Sequence, residues 1–421
     1  MHRRTFLLAG FGTVASLWAA HPRDRGAPHD GYFEGWNTLL RQQGPGVPTM
    51  LLDLDRLDQN MARIRSSLPF GRPLRLVAKS LPSTELLGYI MQGLSDQRLM
   101  VFHETQIQTL GTAFPAADLL LGKPMPIEAV TRFYQTQPIQ ARALTPRINW
   151  LIDTPERARQ YLEFAQGIGL ELRTVLEIDV GLHRGGFSHP EALAALLPLL
   201  SGSNNLQITG LMGYDAQVGK IPPMIESASS TLRHAQQQYR LMLEALLHLM
   251  PALRAKPLIL NGAGSPTFRL HGPDSPLNEV AAGSAFVKAS DFDLPSLADL
   301  LPACWIASPV LKAWNGLDLP GPLPLGRLWS AWDTNRKRTY FIYGGGWRAH
   351  PVSPAGLSSN SLYGISTNQC MFNGSIRTAL NVDDSVFLRP TQSEWVMQEF
   401  GSILAWSRQR EILHRWSVLP S

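Results

Sequence analysis

Residues 72–80 read "RPLRLVAKS", a run that alternates along its length and closes on a lysine. Alternation of this kind marks a β-strand, with Leu74, Leu76 and Ala78 on one face and Arg75, Val77 and Lys79 on the other. Lysine is ordinarily a surface residue, so its place at the end of an apolar run is informative only if neighbouring segments repeat the pattern. They do. Strand-like runs recur at 50–54, 74–78, 99–102, 118–121, 149–152, 173–178, 208–212, 258–260 and 279–282. Amphipathic stretches separate them, most clearly 153–169, with Pro155 suited to a first turn and Gly167 to an end, and 224–250.

Strands alternating with helices predict βαβ units and a parallel sheet. A closed (β/α)8 barrel needs eight strands, and nine candidates are present. One must belong elsewhere, and the first, at 48–57, is the natural one to join a second domain. The glycine fingerprint of an open dinucleotide-binding sheet is absent. Beyond about residue 295 the pattern changes to Pro- and Gly-rich turns, as in "GLDLPGPLPLG" (316–326), between short strand-like runs at 338–344, 384–390 and 402–407. The expected architecture is therefore α/β: a barrel over 48–295 followed by a smaller C-terminal β-domain over 296–421.

The chain has 421 residues, 44% of them hydrophobic and 17% charged, with a net charge of +5. Its basic residues are scattered, and the densest run, "NRKRTY" (335–340), reads as a solvated turn, which argues against nucleic acid as a partner. The start, "MHRRTFLLAGFGTVASLWAA", pairs Arg3 with Arg4 ahead of an apolar stretch too short to span a membrane comfortably. That layout predicts an export signal over 1–20 of the twin-arginine kind, a periplasmic destination and no stable membrane insertion once the signal is removed. Residues 21–47, rich in Pro, Gly and His, read as a flexible tether. The only two cysteines, Cys304 and Cys370, permit one disulfide and rule out a four-cysteine zinc site.

In a barrel, Lys79 would point inward at the strand's C-terminal end, where barrel enzymes gather their active sites. A desolvated lysine has a lowered pKa and acts as an amine nucleophile able to form a Schiff base. Other strand ends carry matching chemistry. "VLEIDVGLHRGGF" (175–187) runs into a glycine-rich loop with Asp179, His183 and Arg184, and "GLMGYDAQVG" (210–219) ends on Tyr214 and Asp215. "LNGAGSPTF" (260–268) and "EVAAGSAF" (279–286) supply small-residue turns suited to a phosphate, at Gly264, Ser265 and Thr267 and at Gly283 and Ser284.

Over residues 45–290 these motifs resemble those of the pyridoxal-phosphate enzymes of the alanine-racemase barrel type, in particular the D-serine dehydratase and D-threonine aldolase branch. Arg72, Pro73 and Lys79 match the family's lysine motif, and "EIDVGLHRGGF" is similar to its arginine-bearing loop. The resemblance implies that Lys79 carries the cofactor, that Arg184 lies near its ring, that Tyr214 is the matching aromatic, and that Gly264, Ser265, Thr267, Gly283 and Ser284 surround its phosphate. Lys79, Arg184 and Tyr214 would then serve catalysis. It further implies a small D-amino-acid substrate, cleaved by retro-aldol or β-elimination chemistry, and a homodimer. The branch also holds a divalent metal through a histidine and a nearby cysteine or aspartate. The matching stretch here, "RPTQSEWVMQEFG" (389–401), has neither histidine nor cysteine; Gln392 and Glu394 could offer oxygens, and His350 or Cys370 could approach from elsewhere, but each reads as structural and no metal ligand is assigned. That departure keeps a metal-independent racemase as the alternative reaction. The non-enzymatic alternative is a protein that binds pyridoxal phosphate without turnover.

Overall fold

The computed structural model describes residues 21–68, 71–200, 203–222, 224–360 and 364–420, and the export signal expected at 1–20 lies outside them. Eight parallel strands close into a barrel. They are β2 (Leu74–Val77), β3 (Arg98–Val101), β4 (Asp118–Leu121), β5 (Ile148–Ile152), β6 (Leu172–Glu177), β7 (Leu206–Gly213), β8 (Ile259–Gly262) and β9 (Glu279–Ala282). Closure is made by β2 against β9, with Leu74 opposite Val280. Leu119, Leu120 and Leu121 of β4 are all buried, as a strand covered on both faces requires.

Lower in the barrel the interior is polar. The Arg75 guanidinium, 1% exposed, meets Glu279 at 2.6 Å and Asp118 at 2.7 Å. It also donates to the carbonyls of Leu99 and Asp118. Asn261 donates to Glu279 at 2.8 Å, Asn149 donates to Asp118 at 3.0 Å, and Thr209 donates to Asn149 at 3.0 Å. Every member of this network has partners, which is the condition under which buried charge is tolerated.

The chain forms two compact units, and their boundaries differ from those expected. Of the described residues, one unit holds those within 52–303 and 392–420, and the other those within 21–51 and 304–391. The final segment was expected in the β-domain over 296–421. It groups with the barrel unit, and its hairpin of β16 (Ser402–Ser407) and β17 (Ile412–Ser417) packs on the barrel's helices while forming the end of the nine-stranded sheet, next to the strand at Thr49–Asp53. Arg410 pairs with Asp58 at 2.9 Å, Asp55 accepts from the Gln409 N–H at 3.1 Å, and the Leu419 N–H donates to the Pro82 carbonyl at 2.8 Å.

In the second unit, β10 (Cys304–Asn315) pairs antiparallel with β11 (Arg338–Tyr343) and β15 (Ser385–Pro390), and β14 (Gln369–Gly374) pairs with β11. β1 (Thr49–Asp53) belongs to this sheet, beside β10, and not to the barrel. The flexible tether expected over 21–47 is corrected by a helix at Gly31–Gln43, capped where Asp30 accepts from the Phe33 N–H. Its Trp36 is fully buried, and Phe33 meets Trp305 and Phe387 at ring distances of 5.0 and 4.9 Å. Those apolar contacts, with Asn37 and Arg41 bonded to Asp384, fix a segment whose Pro, Gly and His lie mostly in its flanks. No disulfide joins Cys304 and Cys370, and burial pushes the Cys304 thiol up to about 12.

Candidate active site

The C-terminal ends of the barrel strands surround a cavity of about 1010 Å³, at the upper end of the range for ligand sites. Strand β2 stops at Val77, so Lys79 does not continue its alternation but sits in a short 3₁₀ turn, Ala78–Ser80. The amine lines the cavity, 5.4 Å from the Phe102 ring centroid, and pairs with Glu394 at 3.1 Å. Its side chain is 46% exposed. The inward, desolvated lysine expected from the alternation is thus corrected to a half-exposed, ion-paired one, because the turn releases it from the strand's geometry.

The two small-residue turns meet beside this lysine. A Cβ on Gly283 would lie 2.8 Å from the Ser80 Cβ and 2.9 Å from the Val77 carbonyl oxygen, so only glycine allows this approach. The Ser265 oxygen accepts from the N–H groups of Gly283 and Ala285, both at 3.1 Å, and joins the turns. Its own proton remains for an acceptor in the cavity. Gly264 packs against the Tyr214 ring, where a Cβ would come within 2.6 Å of its Cε2. The Arg184 guanidinium carbon lies 4.9 Å from the centre of the same ring. Lys79, Arg184, Tyr214, Gly264, Ser265, Gly283 and Ser284 therefore line one cavity. Gly283→Ala is expected to displace one of the two turns and weaken phosphate binding by about tenfold or more, read by titrating pyridoxal phosphate against the change in its absorbance. Unaltered affinity would mean that the turn is not the phosphate seat.

Thr267 does not line the cavity. It is buried, accepts from the Gly264 N–H at 3.0 Å and donates to Asp215 at 2.7 Å. Asp215 meets His271 Nε2 at 2.6 Å, and Nδ1 of that ring meets Ser275 Oγ at 2.9 Å. Thr267, expected to bind the cofactor directly, instead braces the turn that would do so, because its hydroxyl is already engaged in both roles. The Arg184 loop is braced similarly. Burial, the largest single effect on Asp179, raises its carboxyl, but the bonds it accepts from the Gly181 and His183 N–H groups and from the His183 ring together outweigh burial and hold it below the ordinary carboxylate range. Burial raises the Tyr214 phenol above its usual value, opposed by nearby Arg184.

Two residues went unassigned in the sequence, and a third, Glu394, was weighed there only as an oxygen donor for a metal. Phe102 follows β3, and Gly122 leaves room for its ring; its strand-end position was the available signal. Glu177 closes β6, is buried, and has its carboxyl raised above the ordinary range by burial. Glu394 arrives on the returning segment, accepts from Ser80 Oγ at 3.1 Å and faces Lys79. No local pattern marks that role.

An amine opposite two joined small-residue turns suits a cofactor that carries both an aldehyde and a phosphate, and the close approaches at Gly264 and Gly283 form the cradle. A divalent metal fits less well. Among the described residues, no group of three or more His, Cys, Asp or Glu side chains is placed to hold one. Gln392 is bonded to Asp291 at 2.8 Å, and Glu394 is engaged by Lys79 and Ser80.

Residues 52–291 match the family model described as alanine racemase, N-terminal domain. No curated protein matches the chain in sequence. Among solved structures it is similar to D-threonine aldolase from Filomicrobium marinum, with a TM-score of 0.69 and 15% identity over 89% of this chain and 97% of that one. It is also similar to D-threo-3-hydroxyaspartate dehydratase from Delftia sp. HT23, with a TM-score of 0.65 and 14% identity over 89% and 97%. Alanine racemase from Clostridium difficile 630 gives a TM-score of 0.65 and 16% identity over 89% and 99%. At these identities the likeness is one of fold.

Proposed function

From the premise that this chain belongs to the alanine racemase N-terminal-domain family, we propose that it is a pyridoxal-phosphate-dependent enzyme, a lyase acting on a D-amino acid by retro-aldol cleavage or β-elimination. The observation that carries this reading is the meeting of Lys79 with the Gly264–Ser265 and Gly283–Ser284 turns and the Arg184–Tyr214 pair on one cavity wall. Pyridoxal phosphate, when bound, supplies an electron sink for the carbanion left at Cα. Lys79 would hold the cofactor through its amine and, with that amine free, would move a proton at one face of Cα. Arg184 would hold the cofactor ring by charge-assisted hydrogen bonds. The Ser265 hydroxyl and the backbone of the two turns fix the phosphate, and Tyr214 contacts the ring or the substrate.

A second reaction, racemisation, is kept because the stretch 389–401, where the resemblance puts the metal ligands, has neither histidine nor cysteine. Exchange of a Cα proton requires no grip on a β-hydroxyl. Incubating the loaded protein with D-threonine, D-serine and L-alanine separates the readings. Glycine with acetaldehyde marks the aldolase, pyruvate with ammonia the dehydratase, and D-alanine the racemase. A yellow protein that releases none of these overturns the enzyme reading in favour of a cofactor-binding protein without turnover. The resemblance also supports a homodimer, checked by sedimentation of the loaded protein, and the leader supports periplasmic export, checked by a reporter fusion.

A further inference from the structure

Arg72 opens the lysine motif, yet it does not line the cavity. Its guanidinium donates to the main-chain carbonyls of His271 and Gly272 at 2.8 and 3.0 Å. That anchors the backbone from which the His271 ring reaches inward, its Nε2 2.6 Å from Asp215 Oδ2. The two side chains are only 4% and 3% exposed. Asp215 Oδ1 accepts from Thr267 at 2.7 Å, and the Thr267 oxygen accepts from the Gly264 N–H at 3.0 Å. A continuous chain of bonds therefore runs from outside the cavity to the candidate phosphate turn. A carboxylate this deeply buried is costly to deprive of a donor, so its two bonds fix Thr267 against His271. The turn needs such fixing. Ala263, immediately before Gly264, is held at φ +65°. Alanine seldom adopts that left-handed backbone, and residues kept there cluster at ligand clamps whose surroundings over-determine them.

We infer that Arg72, His271 and Asp215 are positioning residues for the cofactor's phosphate: they hold the turn at 263–267 in the form that receives it, and so make the site choose the phosphorylated aldehyde over its unphosphorylated form. This rests on the pyridoxal-phosphate reading above and deepens it. None of the three lines the cavity. Their influence passes through Thr267 and Gly264 and falls on the phosphate end of the cofactor, away from the amine of Lys79 that meets the aldehyde.

The test titrates the full chain with pyridoxal phosphate and, separately, with pyridoxal, which has the same aldehyde and no phosphate. Absorbance gives a half-saturation for each, and their ratio is the preference for the phosphorylated form. His271→Leu removes the donor to Asp215 and is expected to lower that preference about tenfold or more. His271→Gln offers an amide N–H in place of Nε2 and is expected to keep it within about threefold of the natural value. Thr267→Val and Thr267→Ser repeat the comparison at the other oxygen of Asp215, and they carry the test should a His271 variant not fold. Arg72→Leu, acting at one remove through main chain, is expected to lower the preference by roughly threefold. An unchanged preference in His271→Leu or Thr267→Val overturns the inference. An equal loss of both aldehydes also overturns it, because a merely structural role predicts that outcome. A natural protein that takes up neither aldehyde overturns the pyridoxal-phosphate reading itself, whereas the preceding outcomes leave that reading standing.

Discussion

Replacing Lys79 with alanine is expected to abolish covalent retention of pyridoxal phosphate and to lower turnover about a thousandfold or more, the scale seen when a group that bonds to substrate or cofactor is removed. The argument rests on position. Lys79 leaves strand β2 on a short turn and lines the cavity beside Gly283 and Ser80, whereas the other lining lysine, Lys220, lies in the loop after β7. Three measurements read different parts of the claim. Dialysed Lys79→Ala protein should lose its yellow colour, borohydride should fix no cofactor to the chain, and the apoprotein should unfold at the same denaturant concentration as the natural one. The last is expected because Lys79 is half-exposed and its pair with Glu394 is partly solvated, so the pair adds little to stability. A variant that still fixes cofactor upon reduction would move the reactive amine elsewhere.

The second large effect belongs to the barrel interior. Arg75→Leu should destabilise the barrel by about 3–5 kcal/mol, because it strands a carboxylate away from water. Glu279 has a side chain only 5% exposed and depends on Arg75 for its main charge partner, with Arg98 at 3.3 Å as the remaining one. Asp118 is a third exposed and would lose less. Urea denaturation of the apoproteins reads the difference. Adding Glu279→Gln to the Arg75→Leu variant should recover part of the loss, since the stranded charge is then gone. An additive pair of effects would show that Arg75 acts through packing alone.

Much of the barrel was legible because each strand is a short apolar run whose last residues turn to glycine, serine or charge. "LEIDVG" and "LNGAGS" announce both the strand and the chemistry at its end. The second turn was legible for the same reason: Gly283 and Ser284 come directly after Glu279–Ala282. What stayed hidden depends on partners distant in the chain. The helix at Gly31–Gln43 is held by Phe387 and Asp384, more than three hundred residues later. Thr267 has the composition of a phosphate ligand, and only the presence of Asp215 beneath it shows that its hydroxyl is already engaged. Lys79 lines the cavity at the end of its strand, but its exposure and its partner depend on Glu394, brought in by contacts such as Arg410 with Asp58 that no local period encodes.

That returning segment has a temporal consequence during synthesis. The barrel strands end at Ala282, yet Glu394 is translated only after Cys304–Thr391, which fold into the other unit. At about 5–20 residues per second, the ribosome takes on the order of ten seconds to cross that stretch. For that interval a nascent barrel presents Lys79 and the two turns without Glu394 opposite them. The amine is thus open to small molecules before its carboxylate partner arrives, and the Lys79–Glu394 pair is among the last contacts the growing polypeptide makes.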